Sequence, residues 1–122
     1  MNSPVTIDAS VFVSAFTPTE PGHQASKSFM LSTREQSIPI IVPILVLPEI
    51  SAAISRGQGK PELGKAFVQE LRSFPNTTFI DVDETVAYLA VDIAASNRLR
   101  GSDAVYAAVA LRYGTELITL DK

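Results

Sequence analysis

Four carboxylates in this chain of 122 residues stand where chemistry is possible. Asp8 follows the short β-branched run Val5-Thr6-Ile7, and Asp121 follows a similar run at 116–120. Glu49 comes just after Pro48 in the first turns of an amphipathic stretch, and Asp103 follows Gly101-Ser102 at the head of an alanine-rich one. Four carboxylates gathered in one crevice would repel one another and raise each other's pKa unless a cation sat among them. Ligation by oxygen alone favours a hard ion, Mg²⁺ or Mn²⁺, that keeps several of its waters.

The elements that must position these acids alternate between strand and helix patterns. Buried strands are expected at 5–7, 38–42, 77–82 and 116–120, from short β-branched apolar runs. Helices are expected at 10–16, 24–36, 44–56, 61–74, 83–97 and 103–113. Pro48 should disturb or restart the third of these, because a proline disfavours α geometry in the residue before it. Pro61 suits a first helical position, and Leu63, Phe67, Leu71 and Phe74 recur at helical spacing. The alternation predicts an α/β fold with a parallel sheet covered on both faces. In such sheets ligands bind beyond the carboxyl ends of the strands, which is where Asp8 and Asp121 fall.

Each acid taken alone has a plainer reading. Asp8 before a short helix is an ordinary N-cap, while Asp103 and Glu49 can serve as first-turn complements of a helix dipole. Asp121 near the chain end can be a surface acid. Asp81, Asp83 and Glu84 read as helix-start acids, Asp92 as an outer-face residue and His23 as an exposed one. The functional case rests on the constellation.

Composition removes whole classes. With no cysteine there are no disulfides, thiolate nucleophiles, thiolate zinc sites or iron–sulfur clusters. One histidine rules out a two-histidine acid–base nuclease within one chain. The hydrophobic fraction of 46% and charged fraction of 19% are those of a globular domain. A net charge of −3 means that any grip on nucleic acid is local or mediated by a metal. The longest uncharged apolar run, 38–47, is broken by Pro39 and Pro43 and is about half the roughly 20 residues that span a bilayer. A soluble, cytoplasmic protein with no membrane partner is expected.

The segments "VTIDASVFVSAF", "VLPEISAAISR", "LRGSDAVYAAVAL" and "ELITLDK" together resemble the PIN-domain ribonucleases, and among them the toxin subunits of VapBC-type toxin–antitoxin systems. The resemblance covers nearly the whole chain. It implies a PIN-like three-layer α/β/α sandwich with strand order 3-2-1-4-5, and a homodimer inhibited by a cognate antitoxin. It also implies one or two divalent metals, Mg²⁺ or Mn²⁺, held by Asp8, Glu49, Asp103 and Asp121. Ser10 matches a residue that supports the first aspartate, and Thr119 matches the hydroxyl residue of the final T-x-D motif. Members usually continue past the last aspartate to a fifth strand, whereas this chain stops at Lys122. One PIN domain over 1–122 is therefore expected, with its fifth edge strand missing.

The implied reaction is metal-assisted hydrolysis of an RNA phosphodiester, leaving 5′-phosphate and 3′-hydroxyl ends. Arg56 lies two helical turns after Glu49 with the small Ala52 and Ala53 between, so Arg56, Lys60 and Arg100 are the candidate phosphate contacts. Two other readings compete. A receiver-like phosphoacceptor domain would need an acceptor aspartate after the third strand, Asp81 or Asp83. A non-catalytic binding module would keep the fold without the chemistry.

Overall fold

A computed structural model describes residues 3–120. Its elements, in chain order, are β1 (Val5–Ile7), α1 (Ala9–Phe16), α2 (His23–Glu35), β2 (Ile40–Pro43), α3 (Val46–Gln58), α4 (Pro61–Arg72), β3 (Thr77–Ile80), α5 (Glu84–Asn97), α6 (Gly101–Tyr113) and β4 (Glu116–Ile118). The four strands form one sheet in the order β3-β2-β1-β4. Every pairing is parallel, with Val5 opposite both Ile40 and Glu116. This is the α/β class read from the sequence, and the order is that of the first four strands of the implied sheet. No fifth strand occurs among the described residues.

Side-chain alternation in the strands divides the core between the two faces of the sheet. Val5, Ile7, Ile40 and Val42 point into one cluster with Val11, Phe12 and Ala15 of α1, Met30 of α2, Val46, Ile50 and Ile54 of α3 and Leu71 of α4. Ile41 points the other way, against Val86 and Ala90 of α5 and Ala104, Ala108 and Val109 of α6. Helices on both faces of a parallel sheet make three layers. The alanines let α6 lie close over the sheet. Thr6, on the α6 side, is completely buried and satisfies its hydroxyl on that of Thr115, 2.5 Å away.

Several boundaries move from their expected places for visible reasons. Pro48 neither breaks nor restarts its helix, since it is the third residue of α3, where no intrahelical acceptor awaits an amide. The helix begins at Val46 rather than at 44 because the Ile44 amide is still held by the Ile80 carbonyl of the sheet, at 2.8 Å. Strand β3 stops at Ile80, the partner of the last residue of β2. Strand β4 stops at Ile118 because Thr119 and Leu120 turn their hydrogen bonds to Asp8 and Ser10. No helix among the described residues is long and apolar enough to cross a membrane.

Gly64 shows how closely α3 and α4 approach. It is buried, and a Cβ placed there would lie 2.6 Å from the Ser51 carbonyl oxygen and against the Ser55 hydroxyl. Alanine normally stabilises a helix interior by about 1 kcal/mol over glycine. Here the clash with backbone outweighs that gain. Gly64→Ala is expected to destabilise the fold by roughly 1–3 kcal/mol, read from a urea melt.

Candidate active site

Asp8 leaves the carboxyl end of β1, its amide bound to the Ile118 carbonyl of β4 at 3.1 Å. It is the N-cap of α1, accepting the Ser10 amide on Oδ1 at 3.0 Å, as the plain reading of its position predicts. It does more than cap. The Ser10 hydroxyl also donates to Oδ1 and the Thr119 hydroxyl donates to Oδ2. The Leu120 amide donates to Ser10 Oγ at 3.2 Å, so a single hydroxyl relays order from the end of β4 to the carboxylate. Asp8 is only 6% exposed, which locks its orientation at the sheet edge. Ser10 and Thr119 thus both hydrogen-bond the Asp8 carboxylate, one on each oxygen.

Asp8, Glu49 and Asp103 line one cleft of about 220 Å³, together with Ala9, Ser10, Ala53, Arg56, Arg100 and Tyr106. The acids come from three separate elements: the β1–α1 junction, the first turn of α3 and the first turn of α6. Arg100, the N-cap residue of α6, reaches forward one turn to Asp103, with Nε donating to Oδ2 at 2.9 Å. The Arg100 side chain is 76% exposed, so this pair contributes little to stability. Its effect is to keep a cation at the cleft mouth.

Of the candidate phosphate contacts, Arg56 and Arg100 line the cleft and Lys60 does not. Gly59 caps α3 in the left-handed region (φ 66°) and turns the chain away before Lys60 opens α4. Asp121 lies outside the described residues. His23 departs from its expected exposure. It is half-buried, and its Nδ1 donates to the Ser14 carbonyl at 2.9 Å. Asp83 caps α5 through the Val86 amide, as a helix-start acid should.

Sequence reasoning missed Tyr106. Its hydroxyl donates to Glu49 Oε1 at 2.5 Å, and the residue is 2% exposed. Although it grows from α6, it packs into the cluster on the opposite face of the sheet, passing beyond the strand ends. Burial, and then the hydrogen bond to the Glu49 carboxylate, push its pKa far above that of an ordinary phenol, so it stays a proton donor. The signal in the sequence was slight, a lone polar tip one turn after Asp103 in an otherwise apolar run.

Oxygen donors alone face the cleft from these acids, which suits a hard divalent ion. Among the described residues no three carboxylates lie close enough together to hold one ion. Mg²⁺ does not require them to, since it is ordinarily bound by one or two carboxylates and completes its octahedron with water and substrate phosphate.

A parallel α/β sandwich with acids from three elements at the carboxyl edge of its sheet defines a class of protein, and comparison gives the family. The PIN domain model matches residues 5–122, and the chain belongs to the PIN domain family. A comparison with curated protein sequences finds no match. Among solved structures, the chain is similar to VapC20 of Mycobacterium tuberculosis, described as a toxin that cleaves the sarcin–ricin loop. The TM-score is 0.81 at 15% identity, covering 96% of this chain and 89% of that one. VapBC2 of Rickettsia felis, bound to a DNA fragment from its promoter, has a TM-score of 0.72 at 14% identity, over 99% and 89% of the two chains. A toxin–antitoxin complex from Klebsiella pneumoniae has a TM-score of 0.68 at 14% identity, over 96% and 86%. These likenesses establish the fold.

Proposed function

We propose that this protein is a metal-dependent endoribonuclease and the toxin component of a toxin–antitoxin system. The observation that carries the reading is the convergence of Asp8, Glu49 and Asp103 on one cleft with Arg56 and Arg100 on its wall. A toxin role draws on the PIN family and on the VapC and VapBC structures that share the fold.

Asp8 and Asp103 are the proposed direct ligands of Mg²⁺, with Mn²⁺ as a substitute. Asp121 would complete the shell. When bound, the ion lowers the pKa of a coordinated water and polarises the phosphoryl oxygen. Ser10 and Thr119 hold the Asp8 carboxylate in one orientation through both of its oxygens. Glu49 faces the cleft from α3, where its carboxylate would hold a second ion or position the attacking water. Arg56 and Arg100 meet the phosphates, which lets a chain of net charge −3 hold a polyanion locally. The proposed setting is the cytoplasm, the proposed state a homodimer and the proposed inhibitor a cognate antitoxin.

The receiver-like alternative fits the topology poorly. Receiver sheets run 2-1-3-4-5 and put the third strand beside the first, whereas here β3 is at the edge, separated from β1 by β2. Asp81 and Asp83 follow β3 and do not line the cleft of Asp8.

The test is cleavage of a labelled structured RNA with Mg²⁺ or Mn²⁺, with and without EDTA. Metal-dependent cutting that leaves 5′-phosphate ends is expected, and EDTA should reduce it to background. Cutting that survives EDTA, or ends bearing 2′,3′-cyclic phosphate, would sink the mechanism. No cutting by the folded protein would assign the non-catalytic binding module instead.

A further inference from the structure

Glu49 and Asp103 belong to different helices, yet one side chain connects them. Tyr106 lies three residues after Asp103 on α6, so the two side chains share a face of that helix. From there the phenol crosses to α3 and donates to Glu49 Oε1 at 2.5 Å. The Ala9 amide, at the first residue of α1 next to Asp8, also faces the phenol oxygen. One hydroxyl therefore stands where the three acid-bearing elements meet.

Building on the metal-site reading above, we propose that Tyr106 is a positioning residue that ties Glu49 to α6, so that the Glu49 and Asp103 carboxylates are set from one helix. Without this tie a glutamate in a cleft with two other carboxylates would be free to swing out to water. With it, Oε1 is held and Oε2 remains for an ion or a water. The phenol suits the task because it is buried and neutral. It brings a hydrogen-bond donor to Glu49 and adds no charge to the cleft. Phenylalanine would fill the same cluster volume and lack only the tie.

The test uses Tyr106→Phe, Glu49→Ala and the double variant, reading Mn²⁺ affinity by calorimetry as well as RNA cleavage. Groups that orient a metal ligand typically contribute about 10- to 100-fold in affinity or activity. Tyr106→Phe should bind Mn²⁺ about tenfold more weakly and lower kcat by about 10- to 100-fold, with KM for RNA unchanged. In the Glu49→Ala background, where no oxygen is left to accept the phenol, the same substitution should change neither quantity. That comparison cancels any packing cost of the lost hydroxyl, because such a cost would appear in both backgrounds. Wild-type affinity and kcat in Tyr106→Phe would overturn the proposal, and so would an equal loss in the two backgrounds. If the wild type binds Mn²⁺ and cuts no RNA, the ribonuclease reading fails and the affinity measurements alone decide the role of Tyr106. If the wild type binds no Mn²⁺, both fall.

Discussion

Asp103→Asn should reduce RNA cleavage by at least ~10³-fold, the equivalent of roughly 4 kcal/mol of lost transition-state stabilisation. The substitution keeps the shape of the side chain and removes the charge that an ion needs. The fold should scarcely notice. Asp103 caps nothing through its side chain, and its partner Arg100 is largely in solvent, so the lost ion pair contributes at most about 1 kcal/mol. Relief of repulsion from Asp8 and Glu49 works in the opposite direction. The check is a cleavage time course beside a thermal melt of the same preparation. Activity within tenfold of wild type would remove Asp103 from the metal shell. A large fall in melting temperature would show that its role is structural.

Phe12→Ala should have the largest effect on stability. Phe12 is the bulkiest of the completely buried side chains, and it sits in the cluster where β1, β2 and helices α1 to α4 meet. Truncating a buried phenylalanine costs about 3–5 kcal/mol, because the transfer free energy is lost and the cavity collapses only in part. Domains of this size are stable by only about 5–15 kcal/mol, so most of the margin is at stake. A fall of roughly 10 °C or more in melting temperature is expected. The urea midpoint should drop with little change in slope. Phe12 follows Asp8 by four residues on α1, so activity should be lost at temperatures where the wild type still works. A variant that melts with the wild type would mean that the cluster repacks around the void.

The acids were legible because their local context is local chemistry. Asp8 ends a β-branched run and opens a helix, so its place at the sheet edge follows from propensity and capping alone. Asp103, in the first turn of an alanine-rich helix, is legible in the same way. Pro48 misled for a reason of position, since the cost of a proline depends on whether its amide has a partner to lose. Lys60 lies outside this cleft because Gly59, in the left-handed region, turns the chain before it, a change of direction that charge proximity in sequence does not record.

The sequence by itself determined the α/β class, the run of strands and helices, the exclusion of cysteine and paired-histidine chemistry, and which carboxylates stand at the carboxyl ends of strands or the starts of helices. All of these follow from periodicity, capping and composition, which act over a few residues at a time. Only the tertiary structure decided which of the candidates share a cleft. It kept Arg56 and Arg100 and left Lys60 outside. It also brought Tyr106 to Glu49 across 57 residues of chain. That hydrogen bond exists because α3 and α6, from opposite faces of the sheet, converge where the strands end. No local pattern records such a meeting, because it is fixed by how the two layers pack on the sheet.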